Sequence, residues 1–176
     1  MFARSVAQVN CILMLHANTP LPLATIARLA DLAYAPAASA IATLEKRGLA
    51  VRSQRAGDDE FAANPDSAHY PMAYATALVD LPLDAALSGQ RVYMVYAYGS
   101  MSRPGGGSPA SDLDLMLVGD IKSREQLTGR LAAVGERLGR AIDPFMLTPE
   151  EFEQGKADGD LHIEEALAGV RIMGSL

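Results

Sequence analysis

Four residues stand at spacings suited to phosphate chemistry: Gly99, Ser100, Asp112 and Asp114. The run Val92-Tyr93-Met94-Val95-Tyr96-Ala97-Tyr98 is apolar and aromatic, short enough for a buried strand, and it stops at Gly99-Ser100. Eleven residues after Ser100, Ser111-Asp112-Leu113-Asp114-Leu115-Met116-Leu117-Val118 opens a second apolar strand. Side chains two apart on a strand share a face, so Asp112 and Asp114 point the same way. Two carboxylates beside an apolar wall repel each other unless a cation or a proton stands between them. Mg²⁺ suits that place, as a hard cation held by one or two carboxylates, water and substrate phosphates. Gly99 lets backbone approach a phosphate without a Cβ clash, and turn N–H groups with the Ser100 hydroxyl would donate to phosphate oxygens. Each pair alone also reads as a strand-ending turn or a solvated strand start. Their combination at this interval points to a nucleotide site.

Gly99-Ser100, an eleven-residue loop and Asp112-Leu113-Asp114 resemble the signature of the DNA polymerase beta-type nucleotidyltransferase superfamily, whose small bacterial members are the minimal nucleotidyltransferases. More closely, the chain resembles bacterial proteins that fuse such a domain to a winged helix-turn-helix. That resemblance runs through Asn64-Pro65-Asp66-Ser67, Tyr96-Ala97-Tyr98-Gly99-Ser100, Ser111 to Asp120, and Leu147-Thr148-Pro149-Glu150-Glu151-Phe152. It implies a short mixed sheet flanked by helices, with Gly99, Ser100, Arg103 and Ser111 at a nucleoside triphosphate and Asp112 and Asp114 at Mg²⁺. The superfamily usually adds a third carboxylate from a neighbouring strand. Asp143, in the strand-like run Arg140-Ala141-Ile142-Asp143-Pro144-Phe145-Met146-Leu147, is the candidate; an Asp before Pro144 also suits a plain chain reversal. Fused members often carry Asn there, and Asp in this chain favours activity. Arg103-Pro104 stands where the family usually has Arg-Gly, and the loop through Gly105-Gly106-Gly107-Ser108-Pro109 is slightly longer. Arg103 reads equally as a triphosphate contact or a solvated charge, and the glycines read as flexible loop.

These residues need elements to hold them. Ser123-Arg124-Glu125-Gln126 resembles a capping box opening a helix with Leu127, Leu131, Val134 and Leu138 on one side. Thr148-Pro149-Glu150-Glu151 opens another, its acidic residues favourable at a helix start. Met94, Met116 and Met146 fall on apolar runs and read as core filler. His16, His69 and His162 do not cluster in sequence, so neither a histidine metal site nor a general base is indicated.

The front of the chain reads differently. Val6, Val9, Ile12, Leu13 and Met14 predict a helix to about His16, a second covers about 23–30, and a third runs over about 36–47. Residues 49–54 predict a strand, 56–59 a turn, and 60–63 a return strand. Three short helices followed by a two-stranded wing describe a winged helix-turn-helix, with Lys46, Arg47, Arg52 and Arg55 where DNA phosphates would pass. The expected base-reading stretch, Ala35-Pro36-Ala37-Ala38-Ser39-Ala40, has one hydroxyl and no Arg, Asn or Gln. Any DNA specificity is therefore expected from the wing and from shape, and dimerisation or partner docking is the other reading of this unit.

The expected class is α+β, divided into a winged helix-turn-helix over 1–71, a helical connector over 72–90 broken by Pro82, and a nucleotidyltransferase-like domain over 91–176. Of 176 residues, 49% are hydrophobic and 20% charged, which excludes wholesale disorder. The lone Cys11 offers neither a disulfide framework nor a thiolate zinc cluster. No run approaches the roughly 20 apolar residues of a membrane span, so a cytoplasmic protein is expected. The net charge of −6 hides an asymmetry: six basic residues against two acidic through Arg55, then nine against nineteen. Only the front would be drawn to polyphosphate.

Two functions from different classes fit. The first is a Mg²⁺-dependent nucleotidyltransferase that uses Asp112, Asp114 and Asp143, coupled to a DNA-binding winged helix. The second is a DNA-binding transcriptional regulator whose transferase fold senses nucleotide or is inactive. Analogy with the family adds a protein as acceptor and a homodimer as the assembly.

Overall fold

The computed structural model describes residues 2–174. The chain is α+β and divides into two compact units, Met1–Asp80 and Leu81–Leu176. Among the described residues, no helix is long and apolar enough to cross a membrane.

The first unit begins with α1 (Arg4–Leu15), α2 (Leu23–Leu29) and α3 (Tyr34–Lys46). The 3.6-residue spacing of apolar side chains decides what they bury: Val9, Ile12 and Leu13 on α1, Ile26 and Leu29 on α2, and Ile41 and Leu44 on α3. Helix α3 starts two residues before the expected position, which leaves Pro36 in its first turn, where a missing N–H breaks no helical bond. Strands β2 (Ala50–Arg55) and β3 (Asp58–Ala63) form the hairpin, and a short strand β1 (Leu21–Pro22) adds to the far side of β3. The return strand also starts earlier than expected. The turn needs only Ala56 and Gly57, both at positive φ, the geometry that matches strand twist in two-residue hairpins.

The stretch expected as a separate connector is shared between the units. Helix α4 (Tyr70–Val79) packs on α1 and belongs to the first. Asn10 on α1 is fully buried, and its Nδ2 donates to the Ala73 carbonyl at 3.0 Å, tying the two helices together. The helix stops ahead of Pro82, as the missing N–H requires. The four-residue α5 (Asp84–Leu87) belongs to the second unit.

The second unit is built on a four-stranded mixed sheet. Its strands are β4 (Arg91–Tyr98), β5 (Leu113–Asp120), β6 (Ile142–Leu147) and β7 (Val170–Gly174), in the order β6-β5-β4-β7. Strand β5 runs antiparallel to β4 and parallel to β6, and β7 is antiparallel to β4. Both faces of β5 are buried, which explains its nearly continuous apolar sequence. Helix α6 (Arg124–Leu138) packs along β6 and buries the expected Leu127, Leu131, Val134 and Leu138. Helices α7 (Pro149–Asp158) and α8 (Leu161–Leu167) supply Phe152, Ile163 and Ala166 to a cluster with Met94, Tyr96, Met116 and Val118. A complete capping box between Thr148 and Glu151 starts α7. Met94, Met116 and Met146 are all buried, as their apolar surroundings suggest. Pro144 lies on β6, at an edge of the sheet, where proline is tolerated.

Candidate functional site

The site lies where the apolar cluster of the second unit runs out. Even-numbered residues of β5 share one face, so the face that carries Met116 and Val118 also carries Asp114 at its N-terminal end. The register sets Tyr98 of β4 opposite Asp114, and Asp114 opposite Asp143 of β6. Tyr98, Asp114 and Asp143 therefore form one row across three strands. Asp112 lies just before β5, which begins at Leu113 rather than Ser111, and its side chain is exposed.

Asp114 is the centre of this row. Partial burial is the largest influence raising its carboxyl above the ordinary aspartate range, followed by the negative charges of Asp143, Asp112 and Glu165. Tyr98 responds to the same surroundings: desolvation, then Asp114, Asp143 and Glu165, push its phenol up to about 12, so it stays a neutral donor at neutral pH. Glu165, on α8, is the member that sequence spacing missed. Three other acids thus act on Asp114, yet among the described residues no group of three or more His, Cys, Asp or Glu side chains is gathered tightly enough to hold a metal ion.

Gly99 follows Tyr98 at φ 68° and ψ −156°, a region that glycine alone occupies readily. A Cβ built there would collide with Asp114 Oδ2, so the carboxylate rests directly on the glycine. The chain then makes one 3₁₀ turn over Ser100–Ser102, with Ser102 Oγ donating to the Gly99 carbonyl at 2.9 Å. Ser100 is exposed at this corner, and Arg103, also exposed, ends the turn.

Of the three glycines in the loop between the corner and Asp112, read from sequence as flexible, Gly105 stands open while Gly106 and Gly107 are closely packed. A Cβ on Gly106 would run into the Ser100 carbonyl, and one on Gly107 into Met101 Sδ. Ser111 is turned to structural use, its Oγ accepting from Ser108 N at 2.7 Å. Arg140, only 6% exposed, donates through one guanidinium nitrogen to the carbonyls of Ser108 at 2.7 Å and Pro109 at 2.6 Å. Sequence reasoning placed Arg140 at a strand start and missed this tether, because its acceptors are backbone atoms about thirty residues away.

The donor set fits Mg²⁺ arriving with a phosphate ligand better than a resident metal. One or two carboxylates plus phosphate oxygens satisfy that ion, and the charges that act on the Asp114 carboxyl, those of Asp143, Asp112 and Glu165, are all negative.

The four basic candidates of the first unit are not equivalent. Arg52 is spent on its own hairpin: it contacts Glu45 through two nitrogens, each at 3.2 Å, and Asp59 at 3.2 Å, with its guanidinium over the Phe61 ring. Arg47 lies over the Phe2 ring, 4.9 Å from its centroid. Lys46 and Arg55 are exposed. The outer side of α3 offers Tyr34, Ala35, Pro36 and Ser39, a surface as poor in base-reading groups as the sequence indicated.

Comparison of the chain with protein-family models, with curated proteins and with solved structures returns no match.

Proposed function

We propose that the second unit is a nucleotidyltransferase of the DNA polymerase beta type, using Mg²⁺ and a nucleoside triphosphate, and that the first is a winged helix-turn-helix that holds it on DNA. The reading rests on one observation: Asp114, in register with Asp143 and Tyr98, lies against Gly99 at a glycine-serine corner.

In this mechanism Asp112 and Asp114 hold Mg²⁺ together with phosphate oxygens. The ion supplies Lewis-acid neutralisation of charge on the transferring and leaving phosphates. The Gly99-Ser100 corner and the Ser100 hydroxyl donate to the β- and γ-phosphates, and Arg103 is positioned in sequence to join them. Asp143 accepts the proton of the acceptor hydroxyl, whose oxygen bonds to the α-phosphorus. The bond from that phosphorus to the bridging oxygen breaks, and pyrophosphate leaves with the electron pair. Tyr98 keeps its proton throughout and serves as a hydrogen-bond donor at the edge of the row.

The second reading, a DNA-binding regulator with a nucleotide-sensing or inactive transferase fold, is favoured by the absence of a three-carboxylate metal group among the described residues. Pyrophosphate release from MgATP by the full chain, with the chain itself, a protein panel and DNA as acceptors, separates the two. The transferase reading expects metal-dependent release that falls roughly 10²–10⁴-fold in Asp143→Asn, the range of a lost general base. MgATP binding without turnover, alongside salt-sensitive DNA binding, would establish the regulator.

A further inference from the structure

The first unit carries a cavity that neither function uses. It measures about 530 Å³ and is lined by Phe2, Arg47, Leu49, His69, Met72, Ala73 and Thr76. Its walls come from the residue ahead of α1, the end of α3, the approach to β2, and the first turns of α4. That volume lies in the range of sites for small organic molecules.

The lining has a definite chemistry. Phe2, Leu49, Met72 and Ala73 are apolar, and Met72 is exposed, so its methyl group is open to a ligand. The fixed charge is that of Arg47; the described lining includes no Asp or Glu. Arg47 and Arg52 lie five residues apart and differ sharply in their partners. Both oxygens of the Glu45 carboxylate serve Arg52, which also has Asp59. Arg47 forms no ion pair among the described residues and lies instead over the face of Phe2. A guanidinium with unused in-plane donors, lying over an aromatic face at an apolar wall, matches a planar carboxylate attached to an apolar body.

We infer that this cavity binds a small apolar carboxylate, its anion on Arg47 and its ring or chain against Phe2, Leu49 and Met72. Arg47 is also one of the cations offered to DNA phosphate, so the ligand and DNA compete for it. This second consequence rests on the winged-helix reading; the binding itself does not.

The test uses the full chain with methyl-labelled methionine, titrated with cinnamate and with its uncharged match cinnamamide. Cinnamate should saturate, shift the Met72 methyl resonance, and bind about tenfold more tightly than the amide, a difference of about 1.4 kcal/mol. Arg47→Gln should remove that preference, and Thr76→Phe, which fills the cavity, should weaken both probes. Because Arg47 is exposed, its variant carries the test if Thr76→Phe does not fold. No saturation by either probe at millimolar concentration, equal affinity for the two, or an unchanged preference in Arg47→Gln would each overturn the inference. Saturating cinnamate should also lower the salt slope of DNA binding by about one. A chain that binds cinnamate selectively but shows no DNA binding leaves the cavity assignment standing and removes the winged-helix reading instead.

Discussion

At the scale of single residues, the contact between Gly99 and Asp114 makes the corner sensitive to substitution. Gly99→Ala places a Cβ in both a forbidden backbone region and the space of Asp114 Oδ2. The backbone term alone costs about 1–3 kcal/mol, so urea unfolding should register a loss of at least that size. Asp114 gives a prediction of opposite sign. Its folded-state pKa lies above the ordinary 3.8, so the folded protein takes up this proton more readily than the unfolded chain. Ionisation of Asp114 therefore removes stability as pH rises from that ordinary value through the raised one. Asp114→Asn should melt higher than wild type at neutral pH, and the gain should vanish below the ordinary aspartate pKa, as thermal unfolding across pH will show. The family resemblance pointed to Asp143 on a strand beside that of Asp114, but the register that sets the two opposite each other was not legible, because alternation along one strand does not fix its pairing with the next. Glu165 was not legible either: it reaches the row through a seven-residue helix whose placement depends on where the chain returns to the sheet.

At the scale of elements, the loop from Arg103 to Ser111 depends on a side chain from outside it. Arg140→Met keeps most of the buried stem but removes the donor to the Ser108 and Pro109 carbonyls. Hydrogen bonds to a charged group contribute about 1.5–3 kcal/mol, so amide exchange in residues 103–111 should accelerate by about tenfold or more while the strands stay protected. An unchanged exchange pattern would show that the packed glycines alone hold the loop. Helices with a long apolar period, such as α1 and α6, could be read from spacing, and so could the hydrophobic strands β4 and β5. The two-residue β1 could not, since one residue of it is Pro22 and its existence depends on pairing with β3. Strand β7 follows α8 closely and is only partly buried, so it leaves a weak alternation signal.

At the scale of the whole molecule, the charge divide falls inside the β2–β3 hairpin and the first unit holds six basic residues against seven acidic, so on the winged-helix reading DNA would meet individual exposed cations rather than a net positive body. Each cation that contacts a phosphate adds about one to the steepness of salt dependence. Anisotropy titrations of a duplex at several KCl concentrations should therefore give a slope that drops by about one in Lys46→Ala and in Arg55→Ala. Arg52→Ala should leave it nearly unchanged, because that guanidinium is already matched by two carboxylates. A general loss of binding to all sequences alike is expected, given the bland outer side of α3. The sequence alone could count these charges but not sort them, since pairing across a hairpin is a matter of register.

Pro144 bears on how the protein behaves in company. The strand it interrupts is the exposed margin of its sheet, one residue past Asp143. A strand from another molecule seeking to extend that margin would meet a rigid ring and a missing amide, which is one way that proteins discourage stacking into fibrils.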